Sequence, residues 1–137
     1  MPARMRKLTV LLVLALSGCS MSADTSLAEA AVPQFHQMLD AGHFAEIYAA
    51  AAPDLKQMTS QKDMVDLLEA IHRKLGDTQS SKRESWRVNY QATGIYVTLV
   101  YATQFASGDA AEQFVYHLQD NKALLAGYHV NSKALLK

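Results

Sequence analysis

An α+β fold, helices first and an antiparallel sheet after them, is what this sequence predicts. Two observations carry the expectation. Apolar residues recur at helical spacing as far as Gly76, and alternate in and out beyond it. Turn-forming residues then separate the alternating runs at short intervals, as a meander requires.

The first helix is expected from Ser26-x-x-Glu29, which resembles a capping box, followed by Val32, Phe35 and Leu39 at helical spacing and Gly42 as a stop. Pro33 falls inside this run, so the helix either bends there or starts its packed part at that residue. A second short helix carries Phe44, Ile47, Tyr48 and Ala51 and ends before Pro53. The third has the fullest signature. Ser60-x-x-Asp63 caps it, Met64, Leu67, Leu68, Ile71 and Leu75 form its apolar stripe, and Gly76 ends it. Arg73 and Lys74 stand in its last turn, where positive charge suits the helix dipole.

Four strands follow. Trp86 to Tyr90 is the first, with a turn near Thr93-Gly94; Ile95 to Phe105 is the second, with a turn at Ser107-Gly108-Asp109. Glu112 to Leu118 returns, Asp120-Asn121 turns again, and Leu124 to Val130 is the last.

The N-terminus reads as an export signal. Arg4, Arg6 and Lys7 lead an apolar run from Leu8 to Leu16, and Ser17-Gly18 supplies small residues before a cut. The run is too short for a hydrocarbon core that needs about 20 helical residues. Leu16-Ser17-Gly18-Cys19 resembles the bacterial lipobox, and Cys19 is the one cysteine of the chain. That resemblance implies cleavage before Cys19, a lipid thioether on its sulfur and acylation of the new amino group. Several acyl chains hold a protein on a membrane where one does not. Ser20, in place of Asp, implies the outer membrane, with the domain facing the periplasm. The expected organisation is a signal peptide over 1–18, a lipidated Cys19 with a flexible tether over 19–26, and one domain over 27–137.

With the only cysteine consumed by lipid, no disulfide is available and packing must supply stability. Lys and Arg number 13, as do Asp and Glu; losing the three leader cations leaves a balance near −3. No run of like charge stands out, and Lys82-Arg83 with Arg87 reads as a solvated strand edge, which disfavours nucleic-acid binding.

Leu75-Gly76, Ser80-Ser81, Tyr101-Ala102-Thr103-Gln104-Phe105, Glu112 and Gly127-Tyr128 carry a resemblance to small exported bacterial proteins of domain of unknown function 4019. The order of elements also resembles the cystatin-like, nuclear-transport-factor-2-like cone. The resemblance spans Ala30 to Asn131 and implies helices packed on a curved four-stranded antiparallel sheet enclosing an apolar pocket. It implies no activity. One departure is Ala123, where the resemblance leads one to expect Trp before the final Gly-Tyr; this implies a wider pocket at the last strand.

The sharpest candidate site follows from register. Pairing Phe105 with Glu112, Thr103 with Phe114 and Tyr101 with Tyr116 keeps the apolar residues on one face. A two-residue turn at Asp120-Asn121 then sets His129 opposite Glu112, a carboxylate–imidazole pair of the kind acid–base chemistry uses. Tyr101 and Tyr128 are candidate pocket hydroxyls. A single-residue slip would turn His129 outward. His36, His43, His72 and His117 lack metal-site spacing, no cofactor is expected, and Met38, Met58 and Met64 read as core filler.

These residues predict a membrane-tethered, non-catalytic module that binds a protein partner or a small apolar ligand. A small isomerase- or dehydratase-like enzyme and an envelope assembly accessory, dimeric through Tyr96, Val100 and Val115, are the alternatives.

Overall fold

The computed structural model describes residues 23–137; the segment expected as an export signal and Cys19 lie outside them. Among the described residues, helices precede one open antiparallel sheet as expected, but they number four where three were expected. They are α1 (Ala23–Asp40), α2 (Phe44–Ala49), α3 (Pro53–Met58) and α4 (Gln61–Leu75). The strands β1 (Thr78–Gln91), β2 (Gly94–Phe105), β3 (Gly108–Gln119) and β4 (Lys122–Asn131) pair in chain order, and a 3-10 turn (Lys133–Leu136) closes the chain. Among the described residues, no helix is long and apolar enough to cross a membrane.

α1 begins three residues before Ser26, so that residue lies within the helix rather than capping it. The helix also takes in the second half of the segment expected as a tether. Pro33 sits in its interior and forgoes one backbone hydrogen bond to the carbonyl of Glu29. Pro53, expected only as a stop, is also the first residue of α3. α4 matches its signature: Ser60 Oγ accepts from Asp63 N at 3.1 Å, and Gly76 ends the helix at φ +75°.

One core joins the helices to one face of the sheet. Phe35 and Leu39 of α1, Leu68 and Leu75 of α4, and Leu99, Phe105 and Phe114 of the sheet are all buried in it. Leu67, expected on the α4 stripe, is 48% exposed, and Met58 is 84% exposed rather than core filler. Tyr96, Val100 and Val115, expected as an open association face, are each half-buried.

Two local features set the register. The β2–β3 turn is the pair Ala106-Ser107, and Phe105 faces Gly108, not Glu112. Each β2 residue therefore meets a β3 residue four positions earlier than expected: Tyr101 pairs with Glu112, Leu99 with Phe114 and Val97 with Tyr116. An even displacement leaves every side chain on its expected face. The β3–β4 turn is the expected Asp120-Asn121, with φ of 50° and 59°, the left-handed pair of a tight hairpin.

Beyond that turn β4 bulges. Tyr116 pairs with Leu125 but Val115 pairs with Gly127, leaving Ala126 unpaired. Ala52 N, just before α3, donates to Leu125 O at 2.9 Å beside the bulge. The extra residue reverses the faces of the strand beyond it. Val130, not His129, lies opposite Glu112; His129 pairs with Gln113 and is exposed, while Tyr128 turns into the core beside Phe114.

Candidate functional site

Glu112 is inaccessible to solvent, which an unpartnered carboxylate does not tolerate. Three donors answer it. Thr103 Oγ1 donates to Oε1 at 2.5 Å, and Tyr128 OH donates to Oε2 at 2.5 Å. His36 Nε2 lies 2.8 Å from Oε1. Ser81 Oγ and Thr103 Oγ1 are 2.8 Å apart; with the Thr103 hydrogen committed to Glu112, Ser81 is the donor of that pair. The chain of bonds thus runs from the edge strand β1, across β2 and β3, to β4 and α1.

Each partner is placed by an element already described. Ser81 faces Thr103 in the β1–β2 ladder, and Tyr101, next on the same face of β2, is directly opposite Glu112. The β4 bulge delivers Tyr128. His36 belongs to the buried side of α1 with Val32, Phe35 and Leu39, and its ring meets Phe105 and Phe114 edge-on. Burial and the Glu112 charge push the Tyr128 phenol well above its ordinary value. Burial, then the Glu29 charge, raises that of Tyr101, with Arg83 opposing.

His36 has a second face. It lines a cleft of about 330 Å³ between α1 and the β1–β2 side of the sheet, bordered by Glu29, Gln37, Asp40, Thr78, Ser81 and Tyr101. Among the described residues Nδ1 has no hydrogen-bond partner, and it is not sealed from solvent. Two contacts bridge α1 and β1 along this cleft: Glu29 pairs with Arg83, and Asp40 Oδ1 accepts from Thr78 N and Oγ1 at 3.0 and 3.1 Å. The arrangement fixes an imidazole on one nitrogen and offers the other to a polar group.

Of the expected site residues, Glu112 and Tyr128 are brought together, Tyr101 lies beside them on the cleft, and His129 is on the opposite face. The Glu112–His129 pair is replaced by Glu112–His36 because of the one-residue bulge at Ala126. His36, Thr103 and Ser81 complete the site without being expected in it, although Ser81 and Thr103 stand among the residues that carry the family resemblance. The signal for His36 is a polar residue within the Val32–Phe35–Leu39 stripe, which only a buried partner justifies.

Phe35, Leu39, Leu68 and Phe105 are buried together in the core between helices and sheet. Ala123 borders a recess of only about 90 Å³ with Phe35, Met38 and Tyr116. A separate groove of about 200 Å³ runs between α3, α4 and β4, lined by Leu55, Met58, Met64 and Leu67 together with Tyr128 and His129.

Two further polar clusters hold elements together. His117 alternates away from the Glu112 face as expected, yet is buried: its Nδ1 lies 2.8 Å from Asp54 Oδ1, its Nε2 lies 3.0 Å from Thr93 O, and it stacks on Tyr96 at 4.3 Å. Tyr96 OH donates to Asp54 Oδ2 at 2.8 Å. The hydrogen bond from His117 holds the Asp54 carboxyl below its ordinary range against the opposing effect of burial, and Tyr96 adds to the lowering. Asp40, His72 and Asp77 also bring ligand-type atoms within 4.8 Å of one another. The His72–Asp77 bond and the bonds of Thr78 to Asp40 account for that cluster as a fastening of α1 and α4 to the start of β1.

No curated protein matches the sequence. A family model described as "Protein of unknown function (DUF4019)" matches residues 31–128. That span runs from α1, through the cleft and the Glu112 network, to Tyr128, and the chain therefore belongs to the DUF4019 family.

Proposed function

We propose that this protein is a lipid-anchored module of the bacterial envelope that holds a small polar ligand in the cleft over His36. The anchoring half of the reading rests on the lipobox-like Leu16-Ser17-Gly18-Cys19. One observation supports the binding half: His36 is fixed through Nε2 by a fully buried carboxylate and also lines the cleft. With the interior filled, the binding position is marginal rather than central, and the hydroxyl, amide and carboxyl groups around it select a polar ligand over an apolar one.

The test is a fragment titration of the folded chain, read by side-chain resonances of His36 and Tyr101. Polar fragments that bind should move both, and His36→Asn should weaken them about tenfold, the value of one good polar contact. Binders that leave both resonances in place, or that bind His36→Asn equally well, overturn the assignment. Membrane fractionation of the native host tests the anchor, with recovery in the outer-membrane fraction expected and a freely soluble periplasmic protein against it.

Met58 and Leu67 favour a second form of the reading, a protein partner, because both expose large apolar side chains beside the α3–α4–β4 groove. Photocrosslinking from position 67 in intact membranes should then capture one defined neighbour.

A further inference from the structure

The direction of α1 along the sheet singles out one end of the domain. Asp40, at the end of the helix, bonds Thr78 at the start of β1, and Glu29 pairs with Arg83 farther along. The helix and the strand therefore run opposite ways, and the first turn of α1 lies toward the Trp86–Tyr90 end of β1. On that end, Trp86, Val88 and Tyr90 occupy the same sheet face as the core, paired with Leu99, Val97 and Ile95. The helices do not cover them fully: Trp86 is 47% exposed and Tyr90 72% exposed. Arg87, between them on the other face, is exposed as well.

Cys19 stands four residues before Ala23, the first residue of α1. Four residues reach at most about 14 Å when fully extended. A lipid on Cys19 would hold the first turn of α1 within that distance of the headgroups, and with it the adjoining end of β1. Tryptophan and tyrosine suit this layer because each joins an apolar ring to a polar tip, and an arginine beside them meets lipid phosphates. Elsewhere a half-exposed Trp on an edge strand is an aggregation liability; next to an anchor it is a foot.

We infer that Trp86 and Tyr90 form the membrane-facing end of the domain, seated in the headgroup layer of the bilayer that carries the Cys19 lipid. The inference rests on the anchored reading above. It orients the molecule with the anchored end of α1 down, so that α1 and β1 rise from the membrane on either side of the cleft.

The experiment uses the full chain purified with its native lipid and reconstituted into vesicles of phosphatidylethanolamine and phosphatidylglycerol. Trp86 is the sole tryptophan, so the emission reports one position. Expected are a blue-shifted spectrum and about twofold quenching by lipids brominated near the headgroup end of the acyl chain, with weaker quenching by lipids brominated near the methyl end. Mass spectrometry of the same sample reports the state of Cys19. Acylated, vesicle-bound protein with water-like, unquenched Trp86 emission overturns the inference and leaves the anchor standing. A bare Cys19 thiol overturns the anchor, and this inference with it.

Discussion

Replacing Glu112 with leucine tests the buried network directly. The carboxyl group accepts three hydrogen bonds and has no contact with solvent. Leu fills much of the volume and accepts nothing. Thr103 retains Ser81 as a partner. Tyr128 OH and His36 Nε2 lose theirs, and each orphaned buried donor costs about 1–3 kcal/mol. The expected destabilisation is therefore about 4 kcal/mol for Glu112→Leu, a fall in Tm of roughly 15 °C for a domain of this size. Glu112→Gln keeps one acceptor and should fall between the two. The paired change His36→Leu with Glu112→Leu should regain part of the loss, since removing both partners leaves fewer orphans than removing one. Urea unfolding followed by circular dichroism measures all four proteins, with equal slopes needed for the comparison. A Glu112→Leu unfolding free energy within about 1 kcal/mol of the parent would refute the argument that these donors depend on Glu112.

Other outcomes follow from single contacts. Ser60→Ala removes the cap on α4 and should cost about 1 kcal/mol in the same assay. Asp54→Asn should cost about 1 kcal/mol near pH 7, discounted because the pair with His117 is partly exposed. The native Asp54 carboxyl lies below its ordinary value of 3.8, so its contribution is present above that pH and disappears as the pH falls through the folded value. Parent and Asp54→Asn midpoints should thus converge in acid, and a constant gap from pH 7 to pH 2 would contradict this. His129→Ala should change stability by less than about 0.5 kcal/mol and leave fragment binding in the cleft unaltered, because the side chain is exposed on the opposite face.

What could be read from the sequence was what local chemistry dictates. α4 announces itself through Ser60, its stripe and Gly76. The Asp120-Asn121 turn does so through residues that tolerate positive φ. The Ala106-Ser107 turn was hidden because Gly108 mimics a turn glycine, whereas it is the first residue of β3, where an added Cβ would come within 3.0 Å of Ala134. The first part of β1 was missed for a related reason: Ser80 to Ser85 is polar on both faces of an edge strand and shows no alternation. Gly94 was legible as a turn glycine, but the sequence gives no hint that its missing Cβ makes room for the His117 ring. The candidate site failed at one point. A bulge inserts a residue without a composition of its own, and Ala126 looks like any strand residue, yet it decides whether His129 or Tyr128 faces Glu112.

The sequential strand order bears on how the molecule assembles. Every hairpin closes over a short stretch of chain, whereas His36 and Glu112 are 76 positions apart. Nearby pairings form early and distant ones late, because closing a longer loop costs more entropy. Thr103 and Tyr128 reach Glu112 from within the meander, whereas His36 reaches it from α1 across the longest of these loops. An α1 docked out of phase would leave that carboxylate without its imidazole, so the pair ties the helix to one position along the sheet.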